Sequence, residues 1–366
     1  MLIISLAVIV ALVVAVSSIS RKPVGLAIDH ATASTKKIGG YSVGAPIPGT
    51  TLSYLQMLSA TIGVGISPVY PDLQSEPSRR YLVRTIDGGR SWRVAGVFPK
   101  DFYPRATAFK TPEAGYVMSL SQGSLFTTNG GKTWSRVTTS KDPLSISIRG
   151  NVVWIDANSC QTAMNGPCSM HLDTYQFGRL APTSISSIPS NQPHMSQVGP
   201  TSGYVIGGSG QTGGTYGKIF VTQNSGKSWR SVPNPCEKGS ILGGSAPSLT
   251  ELFIYCQNAP DKYGSAFLYS SFNAGKSWSG PFSTPGLGLI SGASSNGTFL
   301  WQLDRDGILW VGDAGGHVWE PDPNVATGEG HVDLAITTYG TSSAWYPVLG
   351  VGVYRTLNGR WWRLFK

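Results

Sequence analysis

Short apolar segments recur along the chain from about residue 50 onward, separated by stretches rich in Gly, Ser, Thr and Pro. Segments of this length suit a buried β-strand and are too short for a helix. They are Ile62–Ile66, Gly115–Met118, Val152–Ile155, Gly203–Ile206, Leu252–Tyr255, Phe299–Trp301 and Ala344–Val348. The pattern predicts an all-β domain built from many short strands.

A tryptophan follows most of these segments at a nearly constant spacing. The series is Trp92, Trp134, Trp229, Trp278, Trp319 and Trp362, with successive steps of 42, 95, 49, 41 and 43 residues. The longest step is two periods, so one repeat lacks its tryptophan. Seven units of 40 to 50 residues predict a seven-bladed β-propeller with four antiparallel strands in each blade.

Each tryptophan closes a motif of the form S/T-x-D/N-x-G-x-S/T-W. Residues 85–92, 127–134, 222–229 and 271–278 match it, and residues 313–319 and 356–362 are looser copies. The motif resembles the Asp box of BNR-repeat propellers, and the resemblance covers residues 49–366. The expected structural residues are Asp87, Trp92, Asn129, Trp134, Asn224, Trp229, Asn273, Trp278, Asp313, Trp319, Asn358 and Trp362.

The box is expected to form the hairpin between the third and fourth strands of a blade. Its Asp or Asn accepts backbone N–H bonds across the turn, its Gly supplies a positive φ, and its Trp packs between neighbouring blades. A catalytic role for Asp87 or Asp313 is disfavoured, because Asn stands at this position in four of the six boxes.

The first 20 residues form a hydrophobic segment, apolar from Leu2 to Val16 except for Ser5. Its length lies between a signal-peptide core and a bilayer span of about 20 residues, so anchor and cleaved signal both remain open. The basic pair Arg21–Lys22 follows the segment, an order that the positive-inside rule does not favour for export. Residues 21–48 are expected to be a flexible tether. We expect an extracytoplasmic protein, membrane-anchored or secreted.

The four cysteines fall into two local pairs without CxxC spacing. Two disulfides are therefore expected, in keeping with an oxidising compartment. Cys160–Cys168 should close a hairpin in the third blade, in place of its missing box. Cys236–Cys256 should pin a blade-connecting loop to the second strand of the fifth blade.

Charge and composition narrow the class of partner. Charged residues make up 13% of the chain, too few for the solvent faces of long helices, and the formal net charge is +9. This balance favours a protein partner or an acidic surface at the membrane or cell envelope, or a glycan. Nucleic acid is not expected, because no Arg/Lys run with interleaved aromatic residues occurs. The candidate contact residues, on loops opposite the boxes, are Tyr70, Arg79, Arg80, Lys100, Tyr103 and Arg105.

Among propellers with this box, sialidases carry an Arg-Ile-Pro motif that this sequence lacks; Tyr103-Pro104-Arg105 stands in the corresponding early region. The chain looks most like the seven-bladed factors that assist photosystem II assembly, which implies a binding or assembly scaffold and not an enzyme. The alternative is a glycan-binding or sialidase-like hydrolase, which needs two carboxyls about 5–10 Å apart. The available loop acids are Asp72, Asp101, Asp261, Asp304 and Asp306. The five histidines have no metal-ligand spacing, so neither a metal nor a cofactor is expected.

The ring is expected to close by packing of blade 1 against blade 7. Counting back from the boxes places the innermost strand of blade 1 at Thr51–Leu58, so every blade uses consecutive sequence. Closure would then depend on Tyr54, Leu55, Trp345 and Tyr346. The alternative is a shared closing strand supplied by Gly40–Val43.

Overall fold

The computed structural model describes residues 41–69, 79–119, 121–158, 170–188, 193–207, 217–236, 239–258, 266–285, 289–294, 297–304, 308–326, 336–348 and 350–366. The hydrophobic segment, most of the tether, Tyr70, Cys160 and Cys168 lie outside these ranges. Within them, no helix has the length and apolar character needed to cross a membrane.

The described residues form seven antiparallel sheets, each made of strands consecutive in sequence. Blade 1 contains β1 (Pro46–Ile47), a 3-10 turn η1 (Gly49–Thr51), β2 (Tyr54–Met57), β3 (Gly63–Val69), β4 (Arg79–Thr85) and β5 (Trp92–Val97). Blade 2 contains β6 (Ala106–Phe109), β7 (Gly115–Ser119), β8 (Gly123–Thr127) and β9 (Ser135–Val137). Blade 3 contains β10 (Asp142–Arg149), β11 (Val152–Asn158), β12 (Met170–Gln176) and β13 (Ser184–Ile188).

The remaining four blades repeat the same order. Blade 4 contains β14 (Pro193–Gln197), β15 (Gly203–Gly207), β16 (Ile219–Thr222) and β17 (Arg230–Val232). Blade 5 contains β18 (Gly239–Ser245), β19 (Leu252–Asn258), β20 (Ala266–Ser271) and β21 (Ser279–Ser283). Blade 6 contains β22 (Leu289–Ala293), β23 (Leu300–Leu303), β24 (Ile308–Gly312) and β25 (Trp319–Ala326), and blade 7 contains β26 (Thr337–Tyr339), β27 (Ser343–Val348), β28 (Gly352–Thr356) and β29 (Arg363–Phe365).

The first full strands of successive blades contact one another in cyclic order, and β26 contacts β2. They are therefore the innermost strands of a closed ring. The prediction of an all-β, seven-bladed propeller with four-stranded blades is confirmed.

The core consists of apolar layers between neighbouring blades. In β7, Val117 packs toward blade 1, whereas Tyr116 and Met118 pack toward blade 3. Successive residues of a strand point to opposite faces, so a strand buried on both faces reads as a continuous apolar run. The segments that mark each repeat in the sequence are these second strands.

Blade 1 gains a fifth strand from the N-terminal side. β1 pairs antiparallel with β5, with Ile47 opposite Trp92. Residues 46 and 47 thus belong to the folded unit, although their composition suggested a tether. In η1, the Thr50 carbonyl accepts a hydrogen bond from the Gly350 amide at 2.7 Å, which ties this segment to blade 7.

The ring closes without a strand shared between blades 1 and 7, as expected, because the described sheet of blade 7 contains β26 to β29. Trp345 lies at the seam, where its buried indole Nε1 donates to the Gly88 carbonyl at 2.9 Å. Leu55 packs against the same cluster. The expectation for Tyr54 and Tyr346 is wrong: Tyr54 packs between blades 1 and 2, and Tyr346 between blades 6 and 7. The alternation of side chains along their strands directs them to the other face.

The Cys236–Cys256 disulfide is present, with Cα atoms 5.5 Å apart. Cys236 lies in the connection between β17 and β18, and Cys256 lies in β19, the second strand of blade 5. The expected pinning of a blade connection is confirmed. A bridge that closes a loop of about this size contributes roughly 2–4 kcal/mol to stability.

Trp345→Ala should lower the free energy of unfolding by about 3–5 kcal/mol, the usual cost of removing a buried Trp side chain. It should also speed hydrogen exchange first in β27, β28, β3 and β4, because no covalent connection spans this seam. Denaturant unfolding and hydrogen exchange by mass spectrometry measure the two effects.

Trp301→Ala is the matched control for this prediction. Trp301 is equally buried and its Nε1 donates to the Gly359 carbonyl at 2.9 Å, at the interface of blades 6 and 7, which the chain connects directly. A similar loss of stability without early exchange at the 1–7 seam is expected. If hydrogen exchange in the unsubstituted protein is slowest at that seam, the expectation that the seam opens first is contradicted.

Candidate binding site

The box hairpins join the third and fourth strands of six blades, where the sequence predicted them. In blade 1 the Thr85 hydroxyl donates to Asp87 Oδ1 at 2.8 Å and accepts from the Gly89 amide at 2.9 Å. The Ser91 amide donates to Asp87 Oδ1 at 3.0 Å, and the Ser91 hydroxyl donates to Oδ2 at 2.6 Å. Gly89 has a φ of +87°, a conformation that favours glycine. These bonds satisfy the backbone of the turn internally.

The same bonding pattern recurs where Asn replaces Asp. Asn129, Asn224 and Asn273 each accept the amide of the Ser or Thr four residues later at 2.9–3.0 Å. In the looser copies the Asp or Asn side chain also accepts backbone amides across the turn. Asp313 accepts from the amides of residues 317 and 318, and Asn358 accepts from those of residues 360 and 361. An amide therefore replaces the carboxylate without loss of the turn.

The box tryptophans fasten one blade to the preceding one. The indole Nε1 of Trp134 donates to the Val97 carbonyl of blade 1 at 3.0 Å, and that of Trp229 donates to the Ser187 carbonyl of blade 3 at 3.0 Å. Trp278 bonds the Pro233 carbonyl, just after blade 4, at 3.1 Å. The remaining three, Trp92, Trp319 and Trp362, lie in clusters shared by adjacent blades.

The boxes are therefore structural. Burial raises the pKa of the Asp87 carboxyl, but the hydrogen bonds from Ser91 and Thr85 outweigh it, so the pKa lies below its usual value. A carboxylate that its own turn holds ionised has no proton to give at neutral pH, and both of its oxygens accept hydrogen bonds that fix the hairpin.

Blade 3 lacks the box, and a side chain of the neighbouring blade fastens its turn instead. Its turn between β12 and β13 is fastened by Tyr116 of blade 2, whose hydroxyl donates to the Arg179 carbonyl at 2.8 Å and accepts from the Gly178 amide at 2.9 Å. Cys160 and Cys168 fall between β11 and β12, the second and third strands. Both cysteines lie outside the described residues, so the expected Cys160–Cys168 bridge and its role in place of the box stay a prediction.

A cleft lies at the end opposite the boxes, between blades 1 and 2. Its wall is the connection from β5 to β6, in which the Phe98 ring stacks on Phe102 and on Trp134 with centroids 5.9 and 4.9 Å apart. The Tyr103 amide donates to Gln122 Oε1 at 2.9 Å, which attaches the connection to the turn between β7 and β8. Aromatic stacking and this bond hold the wall in place.

Two of the predicted contact residues form a stacked pair beside this cleft. The guanidinium carbon of Arg80 lies 3.6 Å from the centroid of the Tyr103 ring, a cation–π distance. Arg80 is buried, whereas Tyr103 is 39% exposed. Arg80 therefore supports Tyr103 from below and does not itself face solvent, a division of roles that the sequence did not indicate.

The cleft has a volume of about 350 Å³ and combines apolar with cationic side chains. Its walls include Phe102, Leu125, Trp134, Lys100, Arg136 and Asp101. Lys100 and Arg136 are exposed, and Arg136 Nη1 also donates to the Gln122 carbonyl at 3.2 Å. The site can thus take an apolar group together with an anionic one.

Two other predicted residues, Arg79 and Arg105, do not line this cleft, and Tyr70 lies outside the described residues. Arg79 is exposed at the start of β4, next to the buried Arg80. Arg105 precedes β6, is exposed, and donates to the Tyr54 hydroxyl at 3.3 Å. The sequence did not single out Arg136 or Phe102, because nothing local shows that the turn of one blade lies against the connection before it. The box tryptophan Trp134, which stacks on Phe98, was the feature of the sequence that could have pointed to this contact.

The loop acids do not assemble into a recognisable hydrolytic pair in the part of the chain that the structure describes. Asp304 accepts the Ile308 amide and the Trp310 indole Nε1, each at 2.8 Å, and so stabilises its own turn. Asp101 lies at the cleft. Asp72, Asp261 and Asp306 fall outside the described residues. Among the described residues, no cluster of three His, Cys, Asp or Glu side chains is arranged for a metal.

Comparisons with known proteins detect the fold but no close relative. No protein-family model and no curated protein sequence matches the chain. Among solved structures, YCF48 bound to a D1 peptide is 15% identical with a TM-score of 0.56, over 87% of this chain and 95% of that one. YCF48 from Cyanidioschyzon merolae is 14% identical with a TM-score of 0.54, over 87% and 99%.

A third similar structure is the hydrazine synthase of Kuenenia stuttgartiensis, 13% identical with a TM-score of 0.60, over 89% of this chain and 100% of that one. The expected likeness to the photosystem II assembly-factor propellers is confirmed at the level of the fold. Since an enzyme chain has the same architecture, the fold does not decide the function.

Asp87→Asn should remove a small pH dependence of stability. A carboxyl whose folded pKa is depressed stabilises the protein above its unfolded pKa of about 3.9 and loses this contribution as the pH falls through the folded value. The expected effect is below about 1 kcal/mol, because the hairpin is exposed to solvent. Thermal unfolding between pH 7 and pH 2 measures it.

Asn129→Asp is the reciprocal control, since Asn129 makes the same turn in blade 2. It should add a similar acid-dependent loss. Identical pH profiles for Asp87→Asn and the unsubstituted protein would contradict the prediction, as would a large loss of stability at pH 7.

Proposed function

We propose that this propeller is an extracytoplasmic binding or assembly scaffold that takes an acidic segment of a protein partner into the cleft between blades 1 and 2. The chain is tethered to a membrane or secreted by its N-terminal hydrophobic segment. It acts by binding and not by catalysis.

The observation that carries the proposal is the make-up of the cleft. Lys100 and Arg136 place two exposed cations over the apolar walls formed by Phe102, Leu125 and Trp134. An extended peptide with a carboxylate beside an apolar side chain matches this arrangement in charge and shape. Aromatic and Arg side chains are the groups that most often dominate the energy of protein interfaces.

The cleft is also held in shape before a ligand arrives. Phe98 stacks on two of its walls, and Gln122 bonds both the Tyr103 amide and Arg136. A partner therefore binds without ordering the connection first, which lowers the entropic cost of association.

Catalysis has less support than binding. Among the described residues at the cleft, Asp101 is the one acid, whereas a glycosidase needs two carboxyls. The structure of YCF48 with a D1 peptide provides a precedent for peptide binding by this fold. The Cys236–Cys256 disulfide suits an oxidising compartment and so favours export.

The test uses the full-length protein and an array of acidic peptides that carry an aromatic residue, with amidated, charge-neutral versions beside them. Acidic peptides should bind in preference, and the double variant Lys100→Glu/Arg136→Glu should weaken binding. Each lost charge-assisted hydrogen bond costs about 1.5–3 kcal/mol, roughly a 10- to 150-fold rise in Kd. Fluorescence anisotropy measures the affinities.

Arg230→Glu/Arg363→Glu is the matched control, with the same charge change at exposed positions of outer strands in blades 4 and 7. It should leave peptide binding nearly unchanged. Equal weakening by both double variants would show a nonspecific charge effect and refute the cleft. Turnover on a glycan panel would support the hydrolase alternative instead, and protease accessibility on intact cells tests the extracytoplasmic location.

A further inference from the structure

The box hairpins give one end of the ring a repeated cationic edge. Each described box places a basic residue just before its Ser/Thr–Trp pair or at the corresponding tip position. These residues are Arg90, Lys132, Lys227, Lys276, His317 and Arg360, and all six are exposed. The five Arg and Lys side chains make the edge cationic. Two of them pair with acids in exposed contacts: His317 with Asp313, and Arg360 with Glu320, each at 3.6 Å. Such exposed pairs are easily exchanged for other anions.

The same hairpins expose apolar side chains, but on one side of the ring. The second position of the box points outward in every blade that has a clean box, and it is Ile86 in blade 1 (73% exposed) and Phe272 in blade 5 (50%). Blade 7 has Leu357 (51%) and Trp361 (65%), and blade 6 has Val318 (57%). These four blades are consecutive in the closed ring.

The other side of the ring is polar at the equivalent position. Thr128 in blade 2 and Gln223 in blade 4 occupy the same turn with the same hydrogen bonds. Blade 3, which has no box, exposes Leu180 to a smaller extent, 39%. The apolar tips are therefore an arc over blades 5, 6, 7 and 1 and not a general property of the box.

We infer that this arc is a lipid-docking surface, in which the tips of blades 5, 6, 7 and 1 enter the headgroup region of an anionic membrane while the neighbouring cations bind lipid phosphates. Apolar side chains flanked by Lys and Arg are the signature of surfaces that lie in the membrane interface. The net charge of +9 adds long-range attraction to anionic lipid.

Two features of the arc favour a bilayer over a protein partner. The apolar side chains are on separate convex hairpins, whereas protein interfaces bury a contiguous packed centre. In three of the four blades an Arg or Lys also lies within the same turn as the apolar tip: Arg90 four residues after Ile86, Lys276 four residues after Phe272, and Arg360 three residues after Leu357. A bilayer surface offers lipid phosphates next to acyl chains, so one such turn can contact both.

Hydrogen bonds within the hairpins fix the turn backbone that carries Ile86 and Phe272. Ile86 lies between Thr85 and Asp87, whose side chains bond to each other and to the turn backbone. Phe272 lies between Ser271 and Asn273 in the same arrangement, with its ring edge-on to Phe253. Their exposure is therefore a built feature of the turn.

The test uses the full-length protein reconstituted into vesicles and carrying one environment-sensitive fluorophore at a time. Label positions are Ile86→Cys and Phe272→Cys on the arc, Thr128→Cys and Gln223→Cys at the matched polar tips, and Lys100→Cys at the other end. Vesicles are neutral phosphatidylcholine, or the same lipid with phosphatidylglycerol, each with brominated acyl chains as quencher. Because the fluorophore reports its own position, insertion of the N-terminal segment does not mask the result.

Quenching should be strong at positions 86 and 272 in the anionic vesicles, weaker at 128 and 223, and absent at 100. It should fall in neutral vesicles and at high salt. Arg90→Gln and Lys276→Gln should each lower the ratio of membrane-bound to unbound tips by about fivefold. Lys132→Gln and Lys227→Gln, on the polar side, should lower it less.

Equal quenching at the arc and at positions 128 and 223 would overturn the inference, as would quenching that ignores lipid charge. Tips unquenched in every vesicle would overturn it as well and leave a protein as the occupant of this end. Peptide binding by the cleft is measured separately, so failure of either result leaves the other intact.

Discussion

The structure depends on the packing of blade against blade, because no single four-stranded sheet of this chain can bury both of its faces. The second and third strands are apolar on both sides, and each side needs a neighbour. Only a closed ring supplies neighbours for all seven sheets. The box hairpins serve this requirement: their hydroxyl–carboxylate or hydroxyl–amide bonds fix the turn, and several of their indoles bond the preceding blade.

The ring closes at the interface between blades 1 and 7, which is held by fewer kinds of attachment than the other interfaces between neighbouring blades. Elsewhere, neighbouring blades are joined by the chain itself in addition to their packing. Blades 1 and 7 meet through side-chain packing, the hydrogen bond of Trp345 and the backbone bond to η1. The short β1 strand extends blade 1 and leads the chain into η1. The N-terminal residues of the folded unit thus help to hold blades 1 and 7 together, although they add no strand to the described sheet of blade 7.

The two ends of the ring differ in chemistry because the chain topology separates their loops. Turns between third and fourth strands are short, repeated and rigid, so any residue type at their tips is displayed in the same way. The connection between blades 1 and 2 is irregular and is held by Phe98, Gln122 and the Arg80–Tyr103 stack. A preformed cleft at one end and projecting tips at the other would permit the two separate contacts proposed above, one with a peptide and one with a lipid surface.

The sequence by itself determined the fold class, the number of blades and the structural role of the boxes, because these follow from a period and from local hydrogen-bonding patterns that need no distant partner. The Cys236–Cys256 bridge was also accessible, since both residues belong to adjacent elements of one repeat. Tertiary structure decided which face each strand residue occupies, so Tyr54 and Tyr346 left the seam for other interfaces. It also brought Arg136 and Trp134 to the connection that carries Lys100, and buried Arg80 beneath Tyr103. Those contacts join different blades, and the distance between blades is set by the packing of the whole ring, which no local pattern encodes.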